Sequence, residues 1–127
     1  KEELFSEADV ITIHMVLSER SRDLVDAAEL SLMKPSAYLV NTSRGPIVNE
    51  SALLDTLQNQ RIAGAGLDVF DIEPLPKDHP LRGLDNAVLT GHTGYVIAEL
   101  YDKAYGQAVE DIIGWMNKSP VRLLNGE

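Results

Sequence analysis

Three side chains in this sequence have the types and spacing that proton transfer and anion binding require. Arg44, Glu73 and His92 each follow a short apolar run that predicts a β-strand. A planar guanidinium can bind a carboxylate through two parallel hydrogen bonds. A carboxylate beside an imidazole favours the protonated ring and fixes its tautomer. Together, the three groups could hold an anionic substrate and move one proton.

Each of the three residues also has a simpler interpretation when it is taken singly. An arginine in a polar loop is often ordinary surface, a histidine beside glycine is often a turn residue, and a glutamate before proline is mostly solvated. Two other histidines favour structural interpretations: His14 should be packed or bonded to backbone within a strand, and His79 should be exposed. The case for a site therefore depends on whether the fold brings Arg44, Glu73 and His92 together.

Segments typical of strands and of helices alternate along the chain. Apolar, β-prone runs predict strands at 10–16, 38–40, 62–70 and 87–90. Helical patterns occur at 2–8, 27–33, 50–60 and 97–117. This alternation predicts an α/β fold with a doubly wound, mainly parallel sheet of about four strands and a long C-terminal helix. Because the carboxyl ends of parallel strands meet at one edge, where ligands bind, the three residues should gather there.

Local signals set the ends of the predicted helices. Asp26, with Glu29 three residues later, forms a capping-box pattern before the second helix. Asn49 is a suitable N-cap for the third helix. Pro120 should close the long helix, and Val121–Leu124 is expected to continue as an extended tail.

Composition and charge exclude several classes of function. The chain has 127 residues, enough for one domain or part of one. A net charge of −9 argues against nucleic acid and anionic membranes as partners. No cysteine is present and the histidines lack the spacing of metal ligands, so we predict neither disulfide nor metal site. No apolar run approaches membrane-spanning length and no signal peptide opens the chain, so we expect a cytoplasmic protein.

Three segments carry a resemblance to a known family. The segments VNTSRGPIVNE, AGLDVFDIEPLP and LTGHTGY resemble, in order and spacing, those of the D-isomer-specific 2-hydroxyacid dehydrogenases. The resemblance runs nearly end to end. It implies an NAD(P)-dependent oxidoreductase with a Rossmann-like nucleotide domain, acting on a small 2-hydroxy or 2-keto acid.

The resemblance implies a catalytic role for each of the three side chains. By this likeness, Arg44 binds the substrate carboxylate and polarises the keto oxygen. His92 is the acid/base, and Glu73 partners His92 and keeps it basic. The implied reaction moves a hydride from C2 of a D-2-hydroxy acid to nicotinamide while His92 takes the hydroxyl proton.

The resemblance also implies a set of cofactor contacts. Asp68 is expected near the nicotinamide carboxamide, and the segment after the first strand is expected near the adenosine. The cofactor-binding residues implied in this way are His14, Met15, Val16, Thr42, Ser43, Arg44, Asp68, His92, Thr93 and Gly94. We expect the cofactor to be NAD, and NADP stays open because no acidic ribose-reading residue follows a glycine-rich turn here.

The glycine-rich fingerprint of dinucleotide-binding domains does not occur in these 127 residues. We therefore interpret residues 1–127 as the C-terminal half of the NAD(P)-binding domain of a longer protein. Residues 96–127 are then the closing helix and tail that lead toward a substrate domain.

Two other interpretations stay open. The chain could belong to a nucleotide-sensing interaction protein of the same fold, or it could have no activity on its own. The strand at 10–16 would be an apolar, unpaired edge, which favours association with another copy, so we expect a homodimer.

Overall fold

The computed structural model describes residues 1–125. The chain divides into two compact units, Lys1–Thr93 and a second unit that begins at Gly94. Every predicted catalytic residue lies in the first unit.

A four-stranded parallel sheet forms the centre of the first unit. Its strands are β1 (Val10–Ile13), β2 (Tyr38–Asn41), β3 (Gly64–Leu67) and β4 (Ala87–Leu89). They lie side by side in chain order, and every neighbouring pair is parallel. The predicted fold class is therefore confirmed, and all four carboxyl ends lie at the same edge.

One α-helix precedes the first strand, and two α-helices and two 3₁₀-helices lie in the connections between strands. They are α1 (Glu2–Glu7), α2 (Ala27–Leu32), α3 (Glu50–Gln58) and the 3₁₀-helices Gly45–Ile47 and Pro80–Gly83. The capping box at α2 is confirmed, since the Asp26 side chain accepts from the Glu29 backbone amide and the Glu29 side chain accepts from the Asp26 amide at 2.9 Å. The cap of α3 is confirmed by the Ala52 amide, which donates to Asn49 Oδ1 at 3.0 Å.

The core of the first unit lies on one face of the sheet. Side chains from alternate strand positions pack with the three helices, and the buried cluster includes Phe5, Ile11, Ile13, Leu30, Leu39, Leu53, Leu57, Ala65 and Leu67. The intervening strand positions point the other way, where Val10, Tyr38 and Val88 are exposed. Period-two alternation explains this division, because successive strand side chains face opposite sides.

The first and third strands are shorter than the sequence predicts by several residues, and the fourth ends one residue early, at Leu89. The first strand ends at Ile13 rather than at residue 16, and the third covers Gly64–Leu67 rather than 62–70. The reason is the length of β2, which has only four residues and pairs with both neighbours. Beyond Asn41, the flanking chains have no ladder partner and enter loops.

The second unit consists mainly of α4 (Ala98–Met116), which has no buried side chain. The predicted extended tail after it is wrong, because the chain bends at Arg122, whose φ is 54°. The Arg122 guanidinium bonds Asp111 at 3.0 Å and Glu110 at 2.8 Å, and these ion pairs hold the tail against its own helix. Within residues 1–125, no helix has the length and apolar character needed to cross a membrane.

Candidate active site at the strand ends

The loops that follow β2, β3 and β4 carry the predicted catalytic residues. Arg44 comes three residues after the end of β2, and His92 comes three residues after the end of β4. Glu73 lies further along, in the loop that follows β3. Parallel pairing brings these loops to one edge of the sheet, as the sequence predicted.

His92 and Glu73 form a direct hydrogen-bonded pair. His92 Nδ1 lies 2.7 Å from Glu73 Oε2, and both side chains are about one-third exposed. The other carboxylate oxygen, Oε1, accepts from the Phe70 amide at 2.9 Å, which fixes the orientation of the carboxylate. With Nδ1 donating to Glu73, the neutral ring carries its lone pair on Nε2, where it can accept a proton.

The pKa of Glu73 is lowered from its ordinary value of 4.5, although burial acts to raise it. Burial is the largest single effect on this pKa, but the hydrogen bonds from His92 and the Phe70 amide, together with the charges of His92 and Arg44, outweigh it. Ionised Glu73 therefore stabilises the fold above pH 4.5, and this stability is lost as the pH falls through the lowered folded-state pKa.

A buried carboxylate fixes the loop that carries His92. Asp68 is 4% exposed, and its Oδ1 accepts from the Thr93 amide at 2.9 Å and from the Thr90 hydroxyl. The carbonyl of Asp68 also accepts from the His92 amide at 2.8 Å. His92 itself has a φ of 57°, a conformation that costs energy for a residue with a Cβ. The bonds to Asp68 compensate for that strain and aim the imidazole toward Glu73.

Removing the Thr90 hydroxyl tests this network. We expect Thr90→Val to destabilise the first unit by about 2 kcal/mol, because the buried Asp68 carboxylate loses a donor. Urea denaturation measures the loss, and hydrogen exchange should show faster exchange of the Thr93 amide. Thr90→Ser keeps the hydroxyl and is the matched control. Equal stability of the valine and serine variants would contradict this role.

The Arg44 loop is fixed by an asparagine that the sequence analysis did not single out. Asn41 is 1% exposed, its Nδ2 donates to the Arg44 carbonyl at 2.9 Å, and its Oδ1 accepts from the Ser43 amide at 3.0 Å. Ser43 Oγ donates to the Ile13 carbonyl at 2.7 Å and ties the loop to the end of β1. The sequence does contain a signal for this turn. An asparagine at the end of a strand can accept a hydrogen bond from the backbone amide two residues later. The Arg44 side chain stays exposed, with Nη1 donating to the Ser43 carbonyl at 2.6 Å.

Gly45 allows this loop to touch the chain after β3. A Cβ at Gly45 would lie 2.1 Å from the Phe70 carbonyl carbon and 2.6 Å from the Asp71 amide nitrogen. Both neighbours are backbone atoms, so they cannot move away from an added Cβ without distorting the chain. The close approach brings the Arg44 loop next to the segment whose amide holds Glu73.

We therefore expect Gly45→Ala to destabilise the first unit by about 3 kcal/mol through steric overlap. Urea denaturation followed by circular dichroism measures the change. Gly83→Ala is the matched control, because nothing lies within 4 Å of a Cβ there, and it should change stability by less than about 0.5 kcal/mol. A Gly45 variant as stable as the control would show that the contact is absent.

Two of the cavities at this edge of the sheet are lined by predicted catalytic residues, one by Glu73 and His92 and the other by Arg44. The acid/base cavity has a volume of about 520 Å³ and is lined by Phe70, Glu73, Pro74, Leu75, Arg82, Leu89, Thr90, Gly91 and His92. The β1-loop cavity has a volume of about 670 Å³ and is lined by His14, Met15, Val16, Leu17, Ser43 and Arg44. Five of the predicted cofactor-binding residues thus line a single cavity. Asp68 lies buried beneath the His92 loop, Thr42 is exposed, and Gly94 belongs to the second unit.

The structure corrects the expectations for the other two histidines. His14 lies just beyond β1 and is exposed, with Nε2 2.9 Å from Thr12 Oγ1. His79 is not exposed: its side chain is 16% accessible, its Nε2 lies 3.1 Å from Glu50 Oε1, and its Nδ1 accepts from the Leu81 amide. No three potential metal ligands converge among the residues that the structure describes.

A parallel sheet with helices, whose strand ends carry a carboxylate-paired histidine and an arginine, is typical of Rossmann-like nucleotide-binding domains. The family model described as "D-isomer specific 2-hydroxyacid dehydrogenase, NAD binding domain" matches residues 1–94. The chain belongs to the D-isomer-specific 2-hydroxyacid dehydrogenases.

Individual relatives agree with this assignment. The chain is 40% identical to a glyoxylate reductase of Aeropyrum pernix over 127 residues, which cover 99% of this chain and 38% of the relative. It superposes with a TM-score of 0.81 on an NAD-complexed D-isomer-specific 2-hydroxyacid dehydrogenase of Lactobacillus delbrueckii ssp. bulgaricus, at 28% identity, covering 95% of this chain and 41% of the other. The chain superposes on an acyclic imino acid reductase in complex with NADPH and D-Arg with a TM-score of 0.80 at 35% identity. This match covers 98% of this chain and 39% of the reductase. The chain thus spans about two-fifths of the length of these relatives.

Proposed function

We propose that this chain is the C-terminal half of the NAD(P)-binding domain of a longer D-2-hydroxyacid dehydrogenase. Residues 96–127 would then lead toward the substrate domain. The observation that carries the proposal is the 2.7 Å contact between His92 and Glu73 at the carboxyl ends of parallel strands. The charge of Arg44 acts on the same carboxylate, which places a cation within electrostatic reach of the pair.

Each catalytic side chain has one task in the proposed reaction. In the oxidation of a D-2-hydroxy acid, Nε2 of His92 accepts the hydroxyl proton, and Glu73 stabilises the imidazolium that forms. In the reverse direction, protonated His92 returns that proton to the keto oxygen. Arg44 binds the substrate carboxylate through its planar fork and polarises the keto oxygen.

The nicotinamide cofactor, NAD with NADP not excluded, supplies the hydride chemistry when it is bound. The β1-loop cavity fits part of such a ligand: it is large enough for a nucleoside and combines the apolar Met15 and Val16 with Ser43 and Arg44. We assign His14, Met15 and Val16 to the adenosine side. The nicotinamide side takes Thr42, Ser43, Arg44, Asp68, His92, Thr93 and Gly94.

The complete protein is proposed to be a cytoplasmic homodimer. Within the described part of the chain, β1 pairs only with β2, so its outer edge carries unpaired backbone groups. Val10 on this strand is 59% exposed. An unpaired apolar edge of this kind needs a cover, either from the rest of the protein or from a second copy.

A panel of 2-keto acids tests the proposed function. The complete protein should oxidise NADH or NADPH in the presence of at least one acid among glyoxylate, hydroxypyruvate and pyruvate. If the protein binds the cofactor with micromolar affinity but turns over no 2-keto acid, the nucleotide-sensing alternative replaces the enzyme.

Replacing Glu73 tests whether it acts through His92. In Glu73→Gln, the carboxylate that favours the imidazolium is lost, so the acidic limb of the pH–rate profile for 2-hydroxy acid oxidation should move to lower pH. The amide can still accept from the Phe70 amide, which limits structural damage. Glu110→Gln, on the surface of α4, removes the same charge elsewhere and is the control. A profile that moves equally in both variants would exclude a specific coupling.

A further inference from the structure

The acid/base cavity contains a cation that the proposed reaction does not use. Arg82 extends from the 3₁₀-helix Pro80–Gly83 and lines this cavity together with Glu73 and His92. Its Nε donates to the Pro76 carbonyl at 2.8 Å, and its Nη2 donates to the Leu75 carbonyl at 2.7 Å. Two backbone carbonyls therefore fix the plane of the guanidinium.

The fixed guanidinium keeps donors available for a ligand. Arg82 has five N–H groups, and the two carbonyl bonds use two of them. Within residues 1–125, no carboxylate forms an ion pair with Arg82. The cavity's own carboxylate, Glu73, is already bonded to His92 and to the Phe70 amide. The charge of Arg82 is thus not neutralised by a side chain of the cavity.

We propose that Arg82 binds a small anionic group, a carboxylate or a phosphate, inside the acid/base cavity. A volume of about 520 Å³ lies within the range of small-molecule sites, and the walls at Phe70, Leu75 and Leu89 are apolar. Three N–H groups remain, one on Nη2 and two on Nη1, and two of them on the planar fork can bind the paired oxygens of such an anion.

The anion could come from two sources. It could be the distal acidic group of a 2-keto acid substrate, in which case Arg82 sets substrate specificity. It could instead be a separate small anion that occupies the cavity beside His92 and changes turnover. The link to turnover rests on the proposed function, whereas binding of the anion does not.

Direct binding is tested on the chain by nuclear magnetic resonance. Titration with inorganic phosphate, and separately with succinate, should produce saturable shifts at the Arg82 Nε–H and at the Leu75 and Thr90 amides. Arg82→Leu should abolish this saturation, Arg82→Lys should weaken it, and the matched control Arg61→Leu should leave it intact. Arg61 is an exposed arginine paired with Asp55 at 2.9 Å. The shifts in the wild-type protein locate the site by themselves, so the test does not depend on how well the variants fold. Wild-type shifts at other residues, or no shifts, would overturn the proposal.

Kinetics of the complete enzyme then separate the two sources. If the substrate supplies the anion, Arg82→Leu should lower the ratio of kcat/KM for 2-ketoglutarate over pyruvate about tenfold or more, while Arg61→Leu leaves the ratio unchanged. If a separate anion binds, phosphate should change the rate of pyruvate reduction in the wild type and lose that effect in Arg82→Leu. Saturable shifts in a protein without turnover would refute the proposed function alone. Normal turnover with no Arg82-dependent binding would refute this inference alone.

Discussion

Replacing His92 with glutamine should lower kcat for 2-keto acid reduction by about two to four orders of magnitude. The amide is similar in size and can still bond Glu73, but it cannot donate and accept a proton at the position of Nε2. Because the substrate carboxylate is assigned to Arg44, KM should change much less than kcat. Steady-state kinetics of the complete enzyme measure both parameters.

His79 provides the matched control for this substitution. It is also a histidine beside a carboxylate, with Nε2 3.1 Å from Glu50, but it lies outside the lining of either cavity described at the strand ends. His79→Gln should leave kcat within about twofold of the wild type. If the two variants lost activity equally, with equal thermal stability, His92 would not be the acid/base.

Replacing Arg44 with lysine should lower kcat/KM by roughly 10²-fold, which corresponds to about 3 kcal/mol of lost transition-state stabilisation. The ammonium keeps the charge but cannot make two parallel hydrogen bonds to a carboxylate. The loop geometry should survive, because Asn41 holds it through the backbone of Ser43 and Arg44. Both substrate binding and hydride transfer should therefore suffer.

Arg61→Lys is the corresponding control, since its exposed ion pair with Asp55 tolerates an ammonium. Near-normal kinetics of Arg44→Lys would mean that Arg44 contributes only charge. The two-point contact with the carboxylate would then have to come from another residue.

The sequence was sufficient for features that depend on local patterns. Asp26 and Glu29 are three residues apart, so their capping box follows from chain geometry alone. The strand–helix alternation likewise implied parallel strands, and parallel strands brought Glu73 and His92 to one edge. These predictions succeeded because each rests on spacing that the chain itself imposes.

The sequence was insufficient where a residue's partner is distant in the chain. The bond between Thr90 and Asp68, and the contact of Gly45 with Phe70, depend on how separate loops meet in three dimensions. His79, between Asp78 and Pro80, was expected to be exposed, and its partner was missed because Glu50 lies 29 residues earlier. A local pattern cannot identify such partners.

The turn before His92 illustrates the same limit. Gly91 stands directly before His92, yet no described glycine has a positive φ. His92 itself adopts the left-handed conformation. Asp68 makes this possible by accepting hydrogen bonds from the His92 and Thr93 amides, and these bonds become visible only in the fold.

Isotope transfer tests the central claim most directly. The complete protein is incubated with a 2-keto acid and NADH carrying deuterium at C4 of the nicotinamide. The label is placed in turn on each of the two faces of the nicotinamide ring. We predict that with one of the two labelled cofactors one deuterium appears at C2 of the hydroxy acid for each cofactor oxidised, and that the product is the D isomer. Cofactor oxidation without deuterium at C2, or formation of the L isomer, would contradict the assignment of this chain to D-specific hydride transfer.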